Sequence, residues 1–210
     1  MTTLVLVRHA QTDAAGKRLT GQALGVHLNE HGRTQAEHLA ERLEGLPIRA
    51  IYSSPLERSR ETAAPLARIR AVPVRVRRGL TEVGYGEWTG RSISSLRRTR
   101  LWRQVMAAPS TVRFPGGESL LEVQGRAVSE VQAITKLHPR DLVVAISHAD
   151  VIRLLVAHLT GLHADHLHRL VIDPASVTVI ALGDGIPRLL RINDTGSLPG
   201  RRTRGAEVRG

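Results

Sequence analysis

Two histidines stand at matching places in this chain. Leu4-Val5-Leu6-Val7 runs straight into Arg8-His9, and Leu142-Val143-Val144-Ala145-Ile146 runs straight into Ser147-His148. An arginine offers a rigid fork of donors suited to phosphate, and it keeps its charge at any ordinary pH. The imidazole beside it is a base, a metal ligand or a nucleophile near neutrality, and the pair alone does not choose among them. Arg58 is a third candidate, because it follows Ser54-Pro55-Leu56-Glu57. Read locally, that run opens a helix with Ser54 as N-cap, Pro55 at the first helical position and Glu57 closing a capping box. Arg58 then lies in a first helical turn, where free backbone amides also attract anions.

These side chains meet only if the elements bearing them are neighbours. Each apolar run is too short for a helix and lacks the alternation of a half-exposed strand, which predicts strands buried on both faces. As parallel neighbours in an open α/β sheet, they would deliver His9 and His148 to one crevice at the strands' carboxyl ends, where such sheets bind ligands. Gln11 to Leu28 is expected as a loop. Asn29 then caps a helix that buries Ala36, Leu39, Ala40 and Leu43 and stops at Gly45 and Pro47, and Ile48–Tyr52 gives a second strand. Val72–Val76 contains Pro73 and so suits a sheet edge.

The pattern loosens from Leu80 to Gly117, where glycines surround Trp88 and a short amphipathic stretch from Ser92 to Val105 carries Arg97, Arg98, Arg100 and Arg103. Residues 83–117 are expected to form a lid. A long helix follows to His138, with Leu120, Ala127, Val131 and Ile134 facing inward, then a helix through Val151, Leu154, Leu155 and His158 to Gly161. Val177–Ala181 and Arg188–Ile192 complete the strands. The alternation predicts an α/β fold, a three-layer αβα sandwich on a mostly parallel sheet, as one domain over residues 1–193. Residues 194–210, rich in arginine, glycine and proline, are expected to be a disordered basic tail.

Composition narrows the chemistry. The 210 residues carry a formal charge of +11, almost all of it from arginine, since Lys17 and Lys136 are the only lysines. Such a balance favours anions, either small phosphorylated molecules in a cleft or nucleic acid along a patch. Tyr52, Tyr85, Trp88, Trp102 and Phe114 are the only aromatic side chains apart from histidine, too sparse a set for the stacking platforms of single-strand binders, so nucleic acid is not the expected partner. With no cysteine, thiol nucleophiles, zinc-thiolate sites and disulfides are excluded. The N-terminus shows no secretory signal and no run is long enough to span a membrane, so a cytoplasmic location is expected.

Four separated stretches can now be read together: Leu6-Val7-Arg8-His9; Ser53-Ser54-Pro55-Leu56-Glu57-Arg58; Leu80-Thr81-Glu82 with Gly86-Glu87-Trp88-Thr89-Gly90; and Ser147-His148. Their order and separation, with Gly32-Arg33-Thr34-Gln35-Ala36 and Pro115-Gly116-Gly117-Glu118-Ser119, resemble the histidine phosphatase superfamily. The likeness runs to about Asn193 and looks nearest to its short, phosphoglycerate-mutase-like bacterial branch. The resemblance implies that His9 is the nucleophile, that Arg8, Arg58 and His148 hold the phosphoryl oxygens, and that Glu82 protonates the leaving oxygen and later takes a proton from water. Ser53 and Ser54 are expected to be structural.

The chain departs from the family pattern at Ala10, usually glycine, which is expected to narrow the pocket, and at Gln11 and Ala15, so Thr12 or Gln11 is expected to supply a missing phosphate donor. The implied activity is metal-independent hydrolysis of a small phosphorylated metabolite through a phosphohistidine, with no cofactor. The alternatives are a phosphoglycerate-mutase-type phosphomutase, for which residues 83–117 are a short lid, and a non-catalytic anion- or nucleic-acid-binding module. His163, His166 and His168 have no accompanying carboxylate set and are read as a helix-end surface, not a metal site.

Overall fold

The computed structural model describes residues 1–183 and 185–196. Six strands, β1 (Thr2–Arg8), β2 (Ile48–Ser53), β3 (Val74–Val76), β4 (Leu142–Ser147), β5 (Val177–Leu182) and β6 (Arg188–Asp194), form one sheet in the order β3-β2-β4-β1-β5-β6. The first four are parallel, β5 pairs antiparallel with β1, and β6 pairs antiparallel with β5. The two apolar runs are neighbours, as expected: Val7 pairs with Ile146 and Arg8 with Ser147. The His9 amide continues the ladder to the Ser147 carbonyl at 2.9 Å, so His9 and His148 leave the sheet side by side.

Successive side chains of a strand point to opposite faces, so a strand apolar throughout feeds two cores. Leu4 and Leu6 join Val143 and Ala145 against α5 (Leu120–Leu137) and α6 (Ala149–Thr160). Val5 and Val7, with Val144 and Ile146, meet α1 (Glu30–Leu43) and α2 (Glu57–Arg70) on the other face. The three layers are those expected from the alternation of elements. Each buried aliphatic side chain contributes about 1.5–3 kcal/mol by leaving water. The same hydrophobic pattern specifies the register that brings the histidines together.

Local signals hold at several helix ends. The Asn29 side chain accepts from the Gly32 amide at 2.8 Å, and Ser119 with Glu122 forms a reciprocal capping box at the start of α5. Gly161 ends α6 at φ 72°, and β3 lies at the sheet edge. No helix among the described residues is long and apolar enough to cross a membrane.

Local detail departs from the expectations or adds to them at several points. Helix α2 begins at Glu57 with Leu56 in the cap position and no side-chain cap, so Ser54 and Glu57 make no capping box. The amphipathic stretch is two helices, α3 (Ile93–Leu96) and α4 (Arg100–Ala107), because the Thr99 side chain caps a new start by accepting from the Trp102 amide. Within 83–117, Val83, Tyr85, Trp88, Leu96 and Phe114 are buried in the core shared with α5 and α6. Asp194, expected in the tail, instead ends β6 and accepts from Arg42 Nη2 at 3.0 Å. The remainder of the expected tail, from residue 197 onward, lies outside the described residues.

Candidate active site

The strand ends set the two imidazoles 5.1 Å apart, ring centre to ring centre, at 60° to each other. His9 Nδ1 lies 2.8 Å from the Ala10 carbonyl. A carbonyl only accepts, so Nδ1 carries the proton and Nε2 keeps its lone pair. Burial foremost, and then the charges of Arg58 and Arg8, push the His9 pKa down to about 3, so the ring is neutral at any ordinary pH.

His148 is fully buried, with Nε2 2.8 Å from Ser54 Oγ and 3.4 Å from Ser59 Oγ. Ser54 Oγ also accepts from the Leu56 amide at 3.4 Å, which leaves its own proton for His148 Nε2. That arrangement puts the ring proton on Nδ1, a buried atom without a partner among the described residues. Burial, His9 and the two arginines hold His148 well below the ordinary imidazole range, so it too is a neutral donor.

The arginines are held by one arm each. Arg58, the largest fully buried side chain among the described residues, donates from Nη2 to the Gly21 carbonyl at 2.7 Å, while its Nε and Nη1 lack partners. Arg8 donates from Nη1 to the Ile172 carbonyl at 2.6 Å, and its Nε likewise has no partner among the described residues. Buried guanidinium N–H groups that the protein does not engage are suited to receive a ligand anion. Glu82 is 8 % exposed and accepts from the Val83 amide at 2.9 Å. Burial first, and the charge of Asp150 second, raise it well above the ordinary carboxylate range, so it holds a proton at a pH where most carboxylates have none. Two charged guanidiniums, two neutral imidazoles and a protonated carboxyl together suit a dianion.

Glu82 is positioned from behind by a residue that sequence reasoning missed. Arg126, on α5, donates to the carbonyls of Gly79, Thr81 and Glu82 and pairs with Glu118 at 2.8 Å. Gln22 Nε2 also reaches the Glu82 carbonyl at 2.9 Å, and Ser147 Oγ donates to the Leu80 carbonyl at 2.7 Å, tying the segment to β4. Gly86, at φ 53°, packs where any side chain would strike the Pro115 carbonyl. Arg126→Ala is expected to leave several carbonyls unpaired, costing about 2 kcal/mol of stability by thermal melt. It should also lower turnover of alkyl phosphates about tenfold to a hundredfold through a misplaced Glu82.

The remaining sequence candidates are placed as follows. Thr12 is buried in the loop after His9. The Gln11 amide donates to Gln35 Oε1 at 3.0 Å and its carbonyl accepts from Asn29 at 3.1 Å, with Gly32 packed so close that a side chain there would meet the Gln11 backbone. The Ala10 methyl sits in a small apolar cluster with Leu28, Ala36 and Ala175, so it fills core space and does not narrow the pocket as expected. His168 Nε2 donates to the Val105 carbonyl at 3.0 Å, and His163 Nδ1 accepts from the Asp165 amide. Among the described residues, no group of three or more such side chains is placed to hold a metal ion.

Comparison with known proteins extends the reading. The chain is 30% identical over 197 residues to phosphoserine phosphatase 1 of Hydrogenobacter thermophilus, covering 93% of each chain. Among solved structures, Bacillus stearothermophilus YhfR superposes with a TM-score of 0.86 at 30% identity, covering 92% of this chain and 98% of that one. The mycobacterial glucosyl-3-phosphoglycerate phosphatase Rv2419c, in its VO3 complex, gives 0.83 at 31% identity, covering 91% of this chain and 98% of the other. The family model described as histidine phosphatase superfamily, branch 1, matches residues 4–195, and with the paired histidines at the ends of β1 and β4 this chain belongs to that family.

Proposed function

We propose that the protein is a metal-independent phosphomonoester hydrolase acting on a small phosphorylated metabolite through a phosphohistidine at His9. The observation that carries this reading is the His9 ring itself: Nδ1 is bound to the Ala10 carbonyl, leaving Nε2 its lone pair, and the ring lies 5.1 Å from that of His148 in a site where Arg8, Arg58 and His148 have N–H groups without partners among the described residues. The phosphoryl group enters as a dianion whose oxygens take those N–H groups in charge-assisted bonds, with Thr12 and Gln11, in the loop after His9, as further candidate donors. The Nε2 lone pair then forms the N–P bond while the ester P–O bond breaks, and Glu82 gives its proton to the departing alkoxide. Glu82, now ionised, takes a proton from the water that attacks phosphorus. The N–P bond breaks, inorganic phosphate leaves, and His9 returns neutral.

The enzymatic alternative, transfer to a second hydroxyl of the same molecule, uses the same first step and differs in excluding water from the phosphoenzyme. The hydrolytic reading is favoured because two of the relatives compared above are named as phosphatases. Rapid acid-free quenching after mixing with labelled phosphomonoester should trap base-stable, acid-labile label that maps to the peptide containing His9. Excess chelator should leave the rate within twofold. Label on any other residue, or loss of activity with chelator, overturns the assignment.

A further inference from the structure

Next to the phosphate pocket lies a partly open cavity of about 230 Å³ that the catalytic steps do not use. Trp88, Trp102, Phe114 and Met106 are among the side chains that line it, and Asp150, Arg153 and His168 are the ionisable ones besides Tyr85. Trp88 and Trp102 stack at 6.2 Å, while Met106 at the rim is 45% exposed, so the cavity has a way in. It adjoins the catalytic residues through Tyr85, whose ring packs against Gly21, the residue whose carbonyl receives Arg58. Tyr85 lines it and donates to Asp150 Oδ2 at 2.6 Å, and Asp150 stands two residues after His148, close enough for its charge to act on both Glu82 and Arg8. Leu19 also lines it, two residues before the glycine whose carbonyl receives Arg58.

An apolar cavity of roughly 150 Å³ already accepts a benzene ring, so this one has room for a ring and a short linker. A small acidic alcohol, such as a phosphorylated amino or sugar acid, would set a carboxylate among indole and phenyl faces. The basic groups there are already engaged: Arg153 donates to Asp150 at 2.7 Å and to the Leu170 carbonyl at 2.9 Å, and His168 to the Val105 carbonyl at 3.0 Å. We infer that this cavity receives the alcohol half of the substrate, and that the preferred substrates are phosphomonoesters of alcohols bearing an apolar, ring-sized group. The inference rests on the phosphatase reading and names the substrate class of that site.

The test compares 2-phenylethyl phosphate with phosphoserine and glycerol 1-phosphate on the full chain, with p-nitrophenyl phosphate as the measure of phosphatase chemistry. The expected result is a kcat/KM at least about thirtyfold higher for the phenylethyl ester, the scale of one buried ring. Met106→Trp, which fills the rim, should reduce that preference to a few-fold. In a His9→Ala background the phenylethyl ester should shift the emission of the protein's two tryptophans, both in the cavity wall, while inorganic phosphate should not. A ratio near one or below, a preference untouched by Met106→Trp, or an unchanged emission overturns the inference. If p-nitrophenyl phosphate is turned over while the ratio stays near one, the cavity assignment alone fails. If no ester, p-nitrophenyl phosphate included, is turned over, the phosphatase reading fails, and the emission measurement still decides whether the cavity binds a ring.

Discussion

Replacement of His9 by alanine is expected to cut turnover of every phosphomonoester by about 10⁵-fold, with no trapped label, while the fold and phosphate binding survive. The nucleophile cannot be supplied by its neighbour, because the tautomer of His148 that satisfies Ser54 presents a proton, not a lone pair, at the buried Nδ1. Water in place of the ring would be the remaining attacker, and the arginines would still hold the phosphate. The variant should also resist acid better than the parent. The His9 pKa is near 3 in the folded chain, below its value when unfolded. Between about pH 6.5 and 3 the unfolded chain therefore binds a proton that the folded one refuses, and stability is lost as pH falls through that window. Circular dichroism melts at pH 5 and pH 8 would show a smaller drop for His9→Ala. Near-parental turnover in this variant would mean that the nucleophile lies elsewhere.

The second large effect is expected from Glu82→Gln, and it should depend on the substrate. An alkoxide needs a proton to leave, whereas p-nitrophenolate leaves without one. Loss of the acid should therefore cost about 10³-fold on an alkyl phosphate and less than about tenfold on p-nitrophenyl phosphate. The pH profile should change in step. Burial and Asp150 raise Glu82, so the parent loses alkyl phosphate turnover as pH rises through that elevated value. In the glutamine variant that alkaline limb should vanish. Equal losses on both substrates would assign Glu82 to binding or structure.

What the sequence made legible was whatever depends on pattern along one segment. The apolar runs of β1 and β4 have no polar alternation, so each had to be covered on both faces, and their shared ending in histidine made the pocket visible before any contact was known. Asn29 acted as a cap because its partner lies three residues away. Ser54 carried the same local signal and did something else, because its hydroxyl is engaged by His148, 94 residues distant, and no local rule can see that competitor. Arg126 was illegible for the same reason. On a helix it looks like a solvated charge, and its role comes from carbonyls of a segment more than forty residues upstream. Ala10 was misjudged because a methyl group's effect depends on which way it points, and here it points into the core.

The unpartnered N–H groups of Arg8, Arg58 and His148 also bear on how the folded state is held together. No described protein group receives them, so a bound oxyanion is the partner that suits them, through charge-assisted bonds. Any tetrahedral oxyanion that fits therefore stabilises the folded chain. By mass action, an anion at a hundred times its Kd adds about 2.7 kcal/mol to the free energy of unfolding. Cellular phosphate would then act as a folding partner of this chain as well as its product, and the fraction of molecules open to proteolysis would follow the phosphate supply.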